Sequence, residues 1–258
     1  MISEEIKIHV RNKIAELEQS YHIRIVYACE SGSRAWGFAS PDSDYDIRFI
    51  YTHPLKKYLS VGNYKAEMDF AVTNDIDLSG WELRKTLGLL FKSNATVFEW
   101  LQSPVVYHNE DDFREQLWQI CPEYFKPTTL IYHYLGTVKS AYGSGVSDGL
   151  IKIKKYFYII RPVLAALWVA EKEEIPPMEF AKLCELIEND PVYKVVQALL
   201  EQKKVAKEGE RIALIPELEN FIETAREKCE LAAKSFEKQQ FTTDSLDTFF
   251  SKTIGYEN

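Results

Sequence analysis

Two aspartates stand one residue apart at the start of an alternating segment of the chain. Asp44 and Asp46 alternate with Tyr45 and Ile47, and apolar side chains recur at every second position as far as Tyr51. A period of two predicts a β-strand that carries both carboxylates on one face. Neighbouring carboxylates repel each other, and a divalent cation removes that repulsion. The pair therefore predicts a metal site.

A Gly-Ser turn precedes this strand. A further strand is predicted over residues 23–29, and Gly32 and Ser33 follow it. Glycine has no side chain, so it lets a ligand approach the main chain closely. Asp42, which lies ahead of the paired acids, is expected to form a turn or a cap. The order strand, Gly-Ser turn, acidic strand is the arrangement that the other elements must position.

This arrangement resembles the signature of the DNA polymerase β-like nucleotidyltransferase superfamily. More narrowly, it is similar to a bacterial and phage branch of predicted nucleotidyltransferases that is related to the YcgL proteins and associated with RNA repair. The resemblance covers most of the first two-thirds of the chain and weakens beyond Glu173. It rests on residues 32–37 (GSRAWG), 42–46 (DSDYD), 80–85 (GWELRK), 92–101 (KSNATVFEWL) and 154–162 (KKYFYIIRP).

The resemblance implies transfer of a nucleoside monophosphate from a nucleoside triphosphate (NTP) to an acceptor. Mg²⁺, or Mn²⁺ in its place, would stabilise the charge of the transition state, with Asp44 and Asp46 as paired ligands. Gly32 would let the main chain approach the phosphates. Ser33 and adjacent N–H groups would donate hydrogen bonds to them, favoured by the N-terminus of a following helix. ATP is the default nucleotide, because the sequence does not identify the base.

A third carboxylate would complete the metal site, and two candidates are present. Asp69 lies on the polar side of a third strand predicted over residues 64–72, which we expect beside the strand with the paired acids. Asp77 lies where a helix over residues 81–91 is predicted to begin, and an aspartate there is typical of a helix cap. We predict Asp69 as the third ligand and keep Asp77 as the alternative.

Basic and aromatic side chains in the second half are candidates for nucleotide binding. Lys155, Tyr156 and Arg161 lie on a long predicted helix, residues 151–171, which by the resemblance would face the cleft. Lys155 would neutralise a β- or γ-phosphate, and Tyr156 would stack on the base. Lys139, on the preceding predicted helix, is a similar candidate. The alternative is that these lysines form a solvated helix face, which is the commoner role of such runs.

The composition is that of a folded protein with few special features. The chain has 258 residues, of which 46% are hydrophobic and 13% aromatic, enough for one large domain or two modest ones. Four scattered cysteines form no spacing typical of zinc sites. No apolar run has the length of a membrane span, and the N-terminus lacks a signal-peptide pattern. A cytoplasmic location without membrane partners is the expectation.

The charge balance limits the kind of nucleic acid that the chain would bind. The net charge is −8, whereas proteins that grip long duplexes usually carry an excess of basic residues. A broad duplex-binding surface is therefore not expected. A local basic patch that binds an RNA end remains compatible with this charge.

The pattern of elements predicts an α+β protein in two parts. Residues 1–125 would form a nucleotidyltransferase fold, a small mixed sheet flanked by helices, and residues 126–258 a helical domain that binds substrate or nucleotide. Pro122 and Pro127 would bracket the hinge between them, and residues 143–149 would form a flexible break. From residue 110 onward the pattern is almost entirely helical.

The sequence thus predicts a metal-dependent nucleotidyltransferase that acts on an acceptor hydroxyl, and the resemblance implies that this hydroxyl belongs to an RNA end. Two alternatives stay open. One is nucleotidyl transfer to a protein or to a small molecule such as an aminoglycoside. The other is a nucleotide-binding or antitoxin-like module without catalysis, against which the intact Gly-Ser and Asp-x-Asp motifs count.

Overall fold

The computed structural model describes residues 2–40, 43–73, 75–205 and 209–256, apart from the side chain of Val205. Asp42, predicted to form a turn or a cap, lies outside these residues. The strands are β1 (Arg24–Glu30), β2 (Tyr45–Thr52), β3 (Glu67–Asp69), β4 (Ile76–Glu82), β5 (Val106–Asn109), β6 (Val146–Ser147), β7 (Leu150–Lys152) and β8 (Arg211–Ala213). The helices are α1 (Glu4–Tyr21), α2 (Gly32–Trp36), α3 (Leu55–Tyr58), α4 (Leu83–Phe91), α5 (Ala95–Leu101), α6 (Phe113–Ile120), α7 (Pro127–Gly145), α8 (Ile153–Lys172), α9 (Phe180–Cys184), α10 (Val192–Val205), α11 (Pro216–Ser235) and α12 (Asp244–Thr253).

Five strands form a mixed sheet in the order β3-β4-β2-β1-β5. The pairs β1–β2, β1–β5 and β3–β4 are antiparallel, and β2–β4 is parallel. This sheet, with helices on both faces and further helices after it, confirms the predicted α+β class. Two details differ from the prediction: β3 spans only Glu67–Asp69, and β4 lies between β3 and β2.

Alternation along the strands gives the sheet two different faces. One face packs α1 against the odd-numbered residues of β2, including Ile47, Phe49 and Tyr51. The other face carries Asp46 and Arg48 near the start of β2, and Ile50 and Trp81 further along. The acids therefore lie on the face that is turned towards the later helices.

The second half packs mainly as α7, α8 and α11, as the long apolar patterns predict. It also contains a small sheet, β6-β7-β8, that the sequence analysis missed. The expected flexible break is a hairpin between β6 and β7. Asp148 and Gly149 both have positive φ there (54° and 71°), which is typical of a two-residue turn with an Asp-Gly sequence.

The last helix returns to the first half of the chain. Phe249 of α12 packs against Phe113, with ring centroids 5.3 Å apart, and the Arg24 guanidinium donates to the Thr253 carbonyl. One continuous apolar core extends from the sheet through α8 to α12. The predicted boundary after residue 125 falls just before α7 and stays a prediction. In the described part of the chain, none of the helices has the length and apolar character needed to span a membrane.

Candidate active site

Two carboxylates lie side by side on the parallel strands β2 and β4. Asp46 pairs in register with Asp77, so both side chains extend from the same face. Nη2 of Arg48 lies 3.2 Å from Oδ1 of Asp46 and 2.7 Å from Oδ2 of Asp77, and thus joins them. Asp44 is exposed just ahead of β2. The prediction that Asp77 begins a helix is wrong, because Asp77 is inside β4.

The residue that caps α4 is Glu82. Its carboxylate accepts a hydrogen bond from the main-chain N–H of Lys85 at 3.2 Å. Alternation of apolar Ile76, Leu78 and Gly80 with polar neighbours is a strand pattern that would have placed Asp77 correctly.

The prediction that the Asp69 strand lies beside β2 is also wrong. Asp69 pairs with Ser79 of β4, and β4 separates it from β2. Two strand spacings amount to roughly 10 Å, against about 5 Å between adjacent strands. Asp69 is on the same face as Asp46 but is exposed on the edge strand. The neighbour of Asp46 is therefore Asp77.

The Gly-Ser turn lies directly against Asp46. Gly32 has a φ of 58°, and a Cβ added there would overlap the carboxylate of Asp46. The main-chain N–H of Ser31 donates to the carbonyl of Asp46 at 2.7 Å. Only glycine combines this left-handed conformation with so close an approach, which explains its place in the motif. Ser33 is the next residue of α2 and is buried.

Glu30, at the end of β1, supports the same strand and was not predicted from the sequence. It is fully buried, accepts the main-chain N–H of Asp46 at 2.9 Å, and accepts the hydroxyl of Tyr107 from β5. Burial raises the pKa of Glu30 to about 7, although these two donors favour its ionised form. A carboxylate immediately before the Gly-Ser turn was the available sequence signal. Glu30 ties β1, β2 and β5 together where the acids begin.

The electrostatics of Asp46 come from both halves of the chain. Burial raises the pKa of Asp46, while the charges of Arg48 and Lys154 lower it, and those of Asp77 and Asp44 raise it. Burial, then Asp46 and Asp44, also raise the pKa of Tyr158. Lys154 and Tyr158 are four residues apart on α8, so one face of this helix is turned towards the acids.

The structure corrects the predicted roles of Tyr156 and Arg161. Tyr156 is fully buried; its hydroxyl donates to Glu219 at 2.5 Å and accepts the N–H of Ile215 at 3.0 Å. Its ring is therefore enclosed in the core and has no face open to a base. The sequence does not reveal that Glu219, far along the chain, lies beside Tyr156, so it does not show that the ring is enclosed.

Arg161 is equally enclosed. Its guanidinium donates to the carbonyl of Met178 and to Oε1 of Glu99 at 2.9 Å, and lies 4.5 Å above the ring of Trp36. Every direction of the guanidinium is occupied by protein groups. Arg161 fastens α8 to α5 and α2, and these contacts argue against its predicted contact with nucleotide.

The two predicted lysines lie in different places. Lys155 is half-buried, packs its stem near Gly145, and holds its Nζ 5.6 Å from the ring centroid of Tyr158. Lys139 lines a cavity between α7 and α11 with Tyr142 and Glu219, and this lining includes none of the acids on the sheet. The charge of Lys154 thus acts on Asp46, whereas Lys155 lies beside Tyr158 and Lys139 lines another cavity.

The donor set fits a divalent cation. Asp46 and Asp77 supply hard carboxylate oxygens on adjacent strands, and a cation, the Arg48 guanidinium, already joins them. Among the described residues, no group of three or more His, Cys, Asp or Glu is gathered closely enough to hold a metal by itself. The pair therefore suits an ion that keeps water or phosphate oxygens as its other ligands, as Mg²⁺ does.

Comparison with known proteins points in the same direction. Residues 6–252 match the model of the RlaP family, described as the RNA repair pathway DNA polymerase beta family. The uncharacterized protein YcgL of Bacillus subtilis (strain 168) is 40% identical over 242 residues, which are 93% of each chain. A nucleotidyltransferase-like protein of Exiguobacterium sibiricum 255-15 aligns with 98% of this chain and 81% of its own at 12% identity. Its TM-score of 0.33 is too low to carry an argument.

Proposed function

Because the chain belongs to the RNA repair pathway DNA polymerase beta family, we propose that it is a metal-dependent nucleotidyltransferase that acts on an RNA end. It would move a nucleoside monophosphate from an NTP to a hydroxyl of that end. The observation that carries this proposal is the pairing of Asp46 with Asp77 on adjacent parallel strands, directly against the Gly32 turn.

The chain's own carboxylates have separate tasks in this proposal. Asp44, Asp46 and Asp77 would hold Mg²⁺, with Mn²⁺ as a substitute, and the bound ion would neutralise charge on the attacking and leaving oxygens. The positive charge of Arg48 favours the ionised form of Asp46, because it lowers the pKa of that carboxyl against the opposing effect of burial. Asp77 would accept the proton of the attacking hydroxyl. A bond from that oxygen to the α-phosphorus forms as the bond to the pyrophosphate oxygen breaks.

The nucleotide would lie between the Gly-Ser turn and α8. Gly32 and Ser33 would bring the main chain to the phosphates, since no Cβ at Gly32 stands in the way. Lys154 and Lys155 would balance the charge of the triphosphate from the other side. ATP is the nucleotide that we propose to test first. Nucleotide binding is assigned to Lys154 and not to Tyr156 or Arg161, because the charge of Lys154 acts on Asp46 and its side chain is exposed.

A reducing compartment suits the cysteines. Cys29, Cys121, Cys184 and Cys229 are all free and buried. Disulfides are rare in the cytosol, where thiols are kept reduced. We propose a cytoplasmic location on this ground.

The test is incubation with each of the four NTPs, labelled at the α-phosphate, in the presence of Mg²⁺. RNA with a free 3′ hydroxyl, protein and an aminoglycoside are offered as separate acceptors. We expect label on RNA, and none when EDTA replaces Mg²⁺. Label on protein or aminoglycoside alone would contradict the RNA acceptor. Binding of NTP without transfer to any acceptor would favour the non-catalytic module.

A further inference from the structure

A second charged surface lies at the opposite end of β2 from the acids. It is a groove of about 630 Å³ beside the C-terminal end of α1 and the segment that follows β2. We call it the basic groove; its lining includes Tyr21, His22, Lys56, Lys57, Tyr64 and Lys65. Asp and Glu are absent from its described lining.

The lysines of the basic groove lack carboxylate partners. Lys56, Lys57 and Lys65 are exposed, and within the described part of the chain none of them forms an ion pair. Two other surface lysines, Lys7 and Lys204, each bind a glutamate one helical turn away. In a chain with a net charge of −8, three such unpaired cations around one groove form a local site for an anion.

Aromatic rings accompany these charges. Tyr21 is 46% exposed, and the ring of Tyr64 is held 5.2 Å from His53 and 5.3 Å from Tyr58 between centroids. Lysines that track phosphates, with aromatic rings on which bases stack, are the two components of single-strand nucleic-acid sites. A free phosphate or an acidic peptide would use the lysines and leave the rings without a role.

We propose that the basic groove binds a single-stranded segment of the RNA acceptor, away from its reacting end. This inference rests on the proposed function. Asp46 and His53 are seven residues apart on and just after β2, which is about 23 Å of extended chain. The groove lies on the face of the sheet that packs against α1, since Met68 lines it, whereas the acids lie on the other face. At about 3.4 Å per stacked nucleotide, an RNA whose end is at the acids needs more than about seven nucleotides to reach the groove.

Direct binding of an RNA long enough to reach the groove provides the test. Fluorescence anisotropy would measure the affinity for a labelled 20-nucleotide RNA of unstructured sequence, without NTP or metal, at 50 to 200 mM salt. The variants are Lys56→Glu/Lys57→Glu/Lys65→Glu and Tyr21→Ala. The matched control is Lys172→Glu/Lys194→Glu/Lys234→Glu, which makes the same charge change at exposed lysines of the helical half.

The groove variants should lose affinity for the 20-nucleotide RNA, and the control should not. For single strands the salt slope is about 0.7 per phosphate contact, so the triple variant should lower it by about 2. Between 50 and 200 mM salt, these three contacts would therefore contribute about twentyfold to the loss of affinity of the unmodified protein. Tyr21→Ala should weaken binding at least about fivefold through lost stacking. Melting temperatures close to that of the unmodified protein would show that the exposed substitutions leave the fold intact.

Three outcomes would overturn the inference. They are equal losses in the groove and control variants, unchanged affinity of both groove variants for the 20-nucleotide RNA, and displacement of the RNA by polyglutamate at equal charge concentration. The last would assign the groove to an acidic protein. Failure of the proposed function would look different. A protein that binds the long RNA through the groove but transfers nucleotide to no RNA would contradict the proposed function and still support the RNA-binding role of the groove.

Discussion

The acids on the sheet and the Arg161 cluster of α8 are both charged groups near the centre of the molecule, but their environments differ. The Asp46 and Asp77 side chains are 24% and 35% exposed, and these two carboxylates share one guanidinium. The Arg161 side chain is 4% exposed, and Glu99, Met178 and Trp36 surround its guanidinium. Charges whose partners are all supplied by the protein hold the fold, and charges left open to solvent are available for a ligand.

The largest effect that this comparison predicts is on transfer by Asp46→Asn. Removing one of two adjacent carboxylates should lower nucleotide incorporation at least about thousandfold, since metal stabilisation of the transition state is worth several kcal/mol. The melting temperature should hold or rise, because the fold raises the pKa of Asp46 and so disfavours its charge. A variant that melts much lower would show that the pair is structural, as Arg161 is.

The opposite behaviour is expected for Arg161→Met. The substitution leaves Glu99 charged without its partner and the Met178 carbonyl without its donor, at a cost of about 3–5 kcal/mol in the free energy of unfolding. Urea denaturation measures this loss. The matched control, Lys182→Met, breaks the exposed pair with Glu179 and should cost less than about 1 kcal/mol. Equal costs for the two variants would contradict the buried role of Arg161.

Glu30 shares one feature with each of the two regions. It is buried, as Arg161 is, and it accepts a hydrogen bond from the main chain of Asp46 on the acidic strand. Its folded pKa of about 7 lies above the unfolded value near 4.5, so its contribution to stability is complete below pH 4.5 and is lost as the pH rises through 7. Over that range the free energy of unfolding of the unmodified protein should fall by about 3 kcal/mol relative to that of Glu30→Gln, because glutamine stays neutral at every pH. Parallel pH profiles of the two proteins, measured by urea denaturation, would count against this account.

A smaller effect, on the KM for NTP, should distinguish Lys154 from Lys139. Lys154→Ala should raise the KM for NTP about five- to tenfold with little change in kcat, because a lysine that holds the triphosphate acts equally in the ground and transition states. Lys139→Ala, the control at an exposed lysine of the other cavity, should stay within about twofold. Steady-state kinetics with ATP provides both values. Equal KM changes would remove the distinction between the two lysines.

Local patterns explain what the sequence predicted well. The strand, the Gly-Ser turn and the acidic strand follow one another within about thirty residues, and alternation alone placed Asp46 on the polar face of its strand, while Asp44 lies just ahead of β2. The class of fold followed from the same kind of pattern. The close approach of Gly32 to the Asp46 carboxylate was not predicted, and its expected approach to phosphates stays a prediction.

Long-range contacts explain what the sequence did not predict. The insertion of β4 between β3 and β2 depends on strand pairing, which no local pattern specifies, and it gave Asp77 the place expected for Asp69. Tyr156 is recognised as a core residue only once Glu219 is known to lie beside it. Glu30 was missed for the same reason, because Tyr107 comes from a distant strand.

The most direct test of the acid pair compares Asp77→Asn with Asp69→Asn in transfer of α-labelled nucleotide to RNA. Asparagine keeps the shape of both side chains but is a poor metal ligand and cannot accept the proton. Asp77→Asn should lose transfer about thousandfold, and Asp69→Asn should stay within a few fold of the unmodified protein. An inactive Asp69→Asn beside an active Asp77→Asn would contradict the assignment of Asp77 as the partner of Asp46.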